Sequence, residues 1–378
     1  MQEGRVEIMS NTRITGGIFS RNERLILSLI RKRGPMPRAA LAQATGLSAQ
    51  AITNLSRKLI ENGFLAEEDV VRGKVGQPST PLSLAPDGAL FIGLKLGRRL
   101  AELALVDFAG QVKLHRQEIY PFPEPDRVLA FARHGIATFQ SNLTQAARDR
   151  IAGLGIATPF RLWDWGDEMA AWQDHDLRAE LAAELPFPVF LENDATTACG
   201  AELVFGQRPL PADFLHIYIA HFPGGGLVLD GKLRFGPQRN AAALGSILVP
   251  DGGQLLDRAS VASLETRLGR SLHPDDSAWD VPERAEAEWA AQAGRALAFV
   301  SLAAASIVDL PLVVIDGAVP HATRTRLVEA TRTALIDMPR EGIDPPEVIE
   351  GSLGRNARVL GAAALPLSHF FQPDGQLG

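Results

Sequence analysis

MPRAALAQATGLSAQAITNLSRKLIENGFLAE, residues 36–67, decides how the front of this chain folds. Leu41 and Ala42 mark the inner face of a short helix, and Thr45-Gly46 supplies a tight turn that lets a second helix cross it. Ser48 is placed to cap that second helix, whose Ile52, Leu55 and Leu59, with Leu47 before it, recur on one face. Upstream, Ser20 to Arg33 repeats the pattern with Leu25, Ile26, Leu29 and Ile30, and Gly34-Pro35 stops it. The spacing is that of a DNA-reading helix-turn-helix. Ala49, Gln50, Ala51, Thr53, Asn54, Arg57 and Lys58 are left on the outer face of the second helix, with Arg38 and Ser48 beside it.

Gln50 and Asn54 have the amide chemistry to pair with adenine in a major groove, whereas Arg57 and Lys58 suit phosphates. A three-helix packing unit with no DNA role is the competing reading. Charge separates the two. Residues 1–80 hold 12 Lys plus Arg against 7 Asp plus Glu, which leaves 26 against 37 in the remainder, so a basic front is joined to an acidic body. A polyanion is attracted by the first and repelled by the second.

After Gly63, two short strand-like pieces flank Arg72-Gly73-Lys74-Val75-Gly76-Gln77-Pro78 and read as a wing. Arg72, Lys74 and Gln77 are its candidate DNA contacts, on the backbone or in a narrow minor groove. A flexible linker is equally compatible with so much Gly, Pro and Ser.

The full 378 residues suggest two or three domains, here 1–84 and 85–378. No 18-residue apolar run and no signal-like start is evident, so a cytoplasmic protein with no membrane span is expected. The single cysteine, Cys199, excludes an internal disulfide and a multi-cysteine zinc site. From Gly88 the body reads strand, turn, strand, turn, strand, with Asp107 and Gly110 at the second turn. A helix over 127–148, strands 151–157 and 188–191, and a helix 177–185 follow. A second opening at 214–219 and 226–229 precedes helices near 254–269 and 283–308, strand 312–315, helix 321–336 and a Gly/Ala-rich last helix from Asn356. Two such openings predict two related α/β lobes with a cleft between them.

These stretches, together with GQPSTPLSLAPDG, GLGIATP, LENDATTACGAELVFG and GGGLVLDGKLRFG, resemble the ROK family of repressors and sugar kinases over nearly the whole chain. The resemblance implies an α/β chain with an N-terminal winged helix-turn-helix, then a two-lobed actin-like ATPase (ribonuclease H-like) fold. Lobe 1 would hold about 88–192 plus 358–378, and lobe 2 about 193–357. It also implies a sugar site at Asn193 and Asp194, which match the family pair that holds sugar hydroxyls, and at Glu265. A helix-capping Asn-Asp turn and a solvated helix glutamate are the rival readings of these positions.

Several departures from the family pattern bear on activity. Where active family kinases carry D-x-G-G-T-K, this chain has Lys95-Leu96-Gly97-Arg98-Arg99, so a metal-organising carboxylate is missing although the cations leave anion binding conceivable. The second phosphate loop reads Ala220-His221-Phe222-Pro223-Gly224-Gly225-Gly226, with Pro223 lacking an N–H and Phe222 bulky. Ala243 and Ser246 replace the family's sugar-binding glutamate and zinc-ligand histidine, and Leu256, Arg258 and Ser263 replace its zinc cysteines. His221 reads as local packing or as a solvated residue, not as catalytic, and Trp163, Trp165 and Trp172 read either as sugar-stacking rings or as core or lid packing. The resulting expectation is a repressor of carbohydrate genes, with operator DNA and a sugar or sugar derivative as partners, homodimeric or a dimer of dimers. It would have no metal, no cofactor and no catalysis. A ligand-blind regulator and a bifunctional sugar kinase are the alternatives.

Overall fold

The computed structural model describes residues 19–69 and 80–373. In the head, Ser20 and Glu23 form a reciprocal capping box that starts helix α1 (Arg21–Arg33). Strand β1 (Met36–Pro37) leads into α2 (Arg38–Thr45), which ends at left-handed Gly46, φ 71°. Helix α3 (Ala49–Glu61) begins where the Ser48 hydroxyl accepts the Ala51 N–H. Ile52 and Leu59 are buried with Leu41, and Leu47 and Leu55 pack against them, as the apolar spacing requires. Strand β2 (Leu65–Glu67) runs antiparallel to β3 (Pro81–Leu84), which also pairs β1, giving the base of a wing. Arg72, Lys74 and Gln77, expected at its tip, lie outside the described residues.

The first lobe contains β4 (Leu90–Leu96), β5 (Leu100–Asp107), β6 (Val112–Ile119), α4 (Pro125–Ser141), the short α5 (Gln145–Arg148), β7 (Ile151–Thr158), α6 (Leu177–Ala182) and β8 (Val189–Asn193). Helix α7 (Asp194–Phe205) leads to the second set. That set comprises β9 (Phe214–Ile219), β10 (Gly224–Leu229), β11 (Lys232–Arg234), α8 (Val261–Leu268), α9 (Glu283–Val308), β12 (Leu312–Gly317), α10 (His321–Ile336) and β13 (Glu347–Glu350). The closing α11 (Ala357–Phe371) returns to the first sheet. The sheets have the orders β6-β5-β4-β7-β8 and β11-β10-β9-β12-β13, with identical senses. Each lobe is therefore one copy of the same plan. Helix α9 has the length and apolar composition of a membrane span, which amends the reading of no such run. Its Trp289, Ala293, Leu297 and Val300 are buried in the second lobe's core.

Glycines set the spacing between the lobes. Gly93 of β4 and Gly155 of β7 are register neighbours beneath α11. A Cβ at Gly155 would stand 1.8 Å from the Ala362 carbonyl oxygen, and one at Gly93 would stand 2.2 Å from that of Val359. On the other side of α11, a Cβ at Gly361 would meet the Thr197 carbonyl oxygen of α7 at 2.0 Å. Helix α7 lies in turn on β10, where Gly224 and Gly226 face Ala195 and Cys199. Gly155→Ala is expected to destabilise the fold by at least about 1–3 kcal/mol through overpacking against backbone. A urea midpoint unchanged from the parent would contradict this close-approach account.

Candidate functional site

The recognition-helix face is built as its sequence suggests, but its polar groups are unequally available. Ser48, Ala49, Gln50, Asn54, Arg57 and Lys58 are exposed. The Ser48 hydroxyl is used in the cap, and Thr53, half-buried, donates its hydroxyl to the Ala49 carbonyl. The Gln50 amide donates to Asn54 Oδ1 at 3.1 Å, one turn away, so the two side chains hold each other on the outer face. Arg57 has no partner among the described residues.

Two expected DNA contacts are engaged within the head. Arg38 donates from Nε to Ser56 Oγ at 3.1 Å and from Nη2 to Glu67 at 2.6 Å, tying α2 to α3 and β2. The Lys58 ammonium lies 2.8 Å from Glu23, whose carboxylate is enclosed against α1. Burial works to raise the Glu23 pKa, and Lys58 and Ser20 outweigh it and hold it below the usual range. Removing Lys58 would leave a buried carboxylate without its cation, so its first task is packing α3 on α1.

The head is joined to the body through an aromatic cluster. Phe371 at the end of α11 lies 5.0 Å from Phe19, 5.7 Å from Phe64 and 4.9 Å from Phe108, centroid to centroid. Arg31 of α1 lies over Phe108 at 5.0 Å and Phe205, the end of α7, at 6.0 Å. Arg150 donates to the Asn62 and Gly88 carbonyls, one in the head and one in the connection to β4.

At the opposite ends of the same two helices, a cavity of about 470 Å³ opens between the lobes. That volume is within the range of small-molecule sites. Asn193 and Asp194 line it, where β8 runs into α7. Asn193 Oδ1 accepts the N–H groups of Ala195 and Thr196, so the helix-capping reading of this turn is realised. Its amide nitrogen makes no hydrogen bond among the described residues. Asp194 accepts from Arg358 Nη1 at 2.8 Å, and that guanidinium lies over the Tyr218 ring at 5.2 Å. Arg358 escaped the sequence reading, although a lone cation opening the apolar run of α11 was the available signal.

The places that correspond to phosphate loops are filled from within. Lys95 is buried, 3.1 Å from Glu102 and donating to the Leu100 carbonyl. Burial pushes its ammonium down to about 8 against the pull of Glu102. The Glu102 carboxyl, which burial alone would raise, is held at about 2 by Lys95, His115 and Arg358. Arg98 is bound to Glu168 and the Trp165 carbonyl, and Arg99 to Glu265. None of the three cations is left without a carboxylate. In the second loop, Phe222 stacks on Trp165 with centroids 4.6 Å apart, a ring from each lobe closing over the cavity. Trp172 is buried and donates to the Pro123 carbonyl, which makes it a packing residue, and Trp163 does not line the cavity.

Glu265 does not take the place expected of it. Its carboxylate receives Arg99 at 2.6 Å and the Leu272 N–H at 2.7 Å, and it does not line the cavity. Arg99, part of the cation set that replaces the family's first loop, reaches across from the β4–β5 turn and captures it. At the family's zinc positions, Leu256 lines the cavity, Arg258 pairs with Asp251, and Ser263 takes part in the α8 cap.

Residues 91–368 match the ROK family, and residues 19–66 match a winged helix-turn-helix DNA-binding family. The chain belongs to the ROK family. A Sinorhizobium fredii relative, uncharacterized protein y4fQ, is 26% identical over 363 residues, 93% of this chain and 92% of its own length. The DNA-binding transcriptional dual regulator NagC of Escherichia coli is 25% identical over 253 residues, 65% of this chain and 61% of NagC. The xylose repressor of Bacillus subtilis is 23% identical over 237 residues, 61% of each chain. The match therefore spans about three fifths of these repressors' length. A solved ROK family transcriptional regulator, a homolog of the E. coli MLC protein, superposes with TM-score 0.67 at 22% identity, covering 94% of this chain and 97% of its own. A Streptomyces griseus ROK glucokinase solved with glucose and AMPPNP gives 0.59 at 21% identity, covering 73% and 99%. The actin-like fold is thus common to both, and the head is part of the regulator match.

His221, on the cavity wall, is neutral in the fold because burial, assisted by Arg99, Arg98 and Arg358, pushes its pKa down to about 3. An unfolded chain binds a proton there below about pH 6.5. The stabilising contribution is therefore complete above that pH and lost as pH falls toward 3, at up to about 1.4 kcal/mol per unit. Urea unfolding between pH 7 and pH 5 should show a shallower loss in His221→Gln than in the parent. Equal slopes would contradict a neutral, enclosed ring.

Proposed function

We propose that this protein is a DNA-binding transcriptional repressor of carbohydrate genes whose operator affinity is set by a sugar or sugar derivative held between its lobes. The observation that carries this reading is that the two helices framing the cavity, α7 and α11, both reach the DNA-binding head, beside Phe108 and Arg150 of the body. Asp194 and Arg358 stand at their cavity ends, and Phe205 and Phe371 at their head ends. A ligand that prefers one arrangement of this pair shifts the head's placement, and only through that preference can it change DNA affinity. A 100-fold preference corresponds to about 2.7 kcal/mol of coupling. The name of the xylose repressor is consistent with a pentose as ligand class.

The head is assigned to 1–84 and the body to 85–378, with lobe 1 at 88–192 plus 358–378 and lobe 2 at 193–357. Binding without phosphoryl transfer fits the paired cations of the first loop, where a metal-holding carboxylate would be needed and Lys95 stands. The Phe222 and Trp165 rings offer apolar surface, while the Asn193 amide and Asp194 offer a hydrogen-bond donor and acceptors, a mixture suited to an uncharged polyol. Pairing of two chains into a homodimer or dimer of dimers in the cytoplasm matches the two-fold sites such heads read.

Gln50→Ala should relax preference at one base pair by roughly 1–3 kcal/mol, whereas Arg57→Ala should weaken every sequence alike and flatten the salt dependence. Fluorescence anisotropy on operator variants at several salt concentrations distinguishes them, and identical behaviour would contradict the assigned roles. Asp194→Asn should abolish the response of operator affinity to sugars while sparing affinity itself. A retained response would place the effector elsewhere, and consumption of ATP with any sugar would refute the non-catalytic reading.

A further inference from the structure

One cluster of ionisable groups has no part in the cavity or the head. Glu202 on α7, His216 on β9 and Asp316 on β12 converge between helix and sheet, all buried, with their ligand-capable atoms within 4.8 Å of one another. His216 is wholly enclosed, and neither Nδ1 nor Nε2 has a hydrogen-bond partner. An enclosed imidazole must carry at least one N–H, so leaving both nitrogens unpaired is costly and demands an explanation.

The carboxylates are held in place around the ring without bonding to it. Glu202 accepts the N–H and hydroxyl of Ser352. Asp316 accepts the N–H groups of Gly317 and Gly354, with Arg324 Nε at 3.4 Å. These contacts fix both carboxyl groups beside the unpartnered ring, with Arg324 the cation paired with Asp316. Burial raises both pKa values, that of Asp316 to about 6 with Glu202 adding to the rise.

We propose that Glu202, His216 and Asp316 bind one divalent first-row transition-metal ion, as a structural site. An ion of charge +2 gives the imidazole the partner it lacks and draws on the two carboxylates that already stand within reach of it. One nitrogen and carboxylate oxygens form a donor set that suits Zn²⁺ or Mn²⁺, whereas Mg²⁺ and Ca²⁺ favour oxygen alone. The backbone hydrogen bonds to Asp316 and the Ser352 contacts to Glu202 are the outer supports such ligands need. The site differs in every residue from Ser246, Leu256, Arg258 and Ser263, the positions at which the family resemblance pointed to zinc. Its effect is to fasten α7 to the second sheet at a point between the helix's two ends.

The full-length protein is purified, metal is measured by plasma mass spectrometry, and melting is followed with chelator and after return of Zn²⁺, Mn²⁺ or Mg²⁺. About one Zn²⁺ or Mn²⁺ per chain is expected, with melting lowered by chelator and restored by either ion but not by Mg²⁺. His216→Leu should lose the ion and its effect on melting, since leucine fills the space without a ligand atom. Glu202→Gln, which keeps the length and can still accept from Ser352, should weaken retention at least tenfold. A parent chain that retains no ion after chelation and reloading overturns the proposal, even where a variant fails to fold. A shift of equal size in parent and His216→Leu overturns it as well, by assigning the ion to the surface.

Discussion

Backbone-to-backbone contact between α11 and its neighbours is the constraint on which the rest of the structure depends. Sheet, α11, α7 and second sheet are stacked with Gly93 and Gly155 at the first junction, Gly361 at the second, and Gly224 with Gly226 at the third. Side chains at these junctions would separate the layers, and the shared apolar face of each lobe would lose its cover. Because backbone meets backbone at these glycines, the pair α7 and α11 has little freedom to absorb a displacement there. At 12 residues, α7 covers about 18 Å. One rigid span therefore separates Asp194 in the cleft from Phe205 under the head.

The cleft is governed by pairing of buried and half-buried charge. Lys95 with Glu102 is buried, and Arg99 with Glu265 and Arg358 with Asp194 are half-buried, each placing a cation against a carboxylate. Such pairs add little net stability over apolar packing, but breaking one leaves a buried charge uncompensated. The departure from the kinase pattern is accordingly a rewiring, in which each new cation has a carboxylate of its own. Reinstating a carboxylate at Lys95 alone would set it against Glu102 instead of creating a metal site.

Much of this organisation was legible in the chain. The helix-turn-helix followed from the apolar spacing around Ile52 and Leu59, and the repeated three-strand opening from turns at Asp107 and Gly110. The features that escaped have two physical causes. Helix α7 carries nine buried residues among its twelve, so it shows no polar stripe and its sequence has no helical period to detect. Glu265 looked available because its partner, Arg99, is 166 residues away, and Arg38 because Glu67 is 29 away. Composition reports that a charge exists, whereas only the folded chain determines which opposite charge reaches it first.

The run Gly224-Gly225-Gly226 shows the same limit in a different form. In sequence it matches the place of the family's phosphate-binding loop, where glycine permits close backbone approach to an anion. In the fold, Gly224 and Gly226 admit Ala195 and Cys199 of α7, and Gly225 lies over Leu244 and beside the His216 carbonyl. Packing alone requires these glycines, whether or not a nucleotide ever binds. A glycine run of this kind is thus expected wherever the same residues also seat a helix, and Phe222 and Pro223 stand where no residue of α7 is seated.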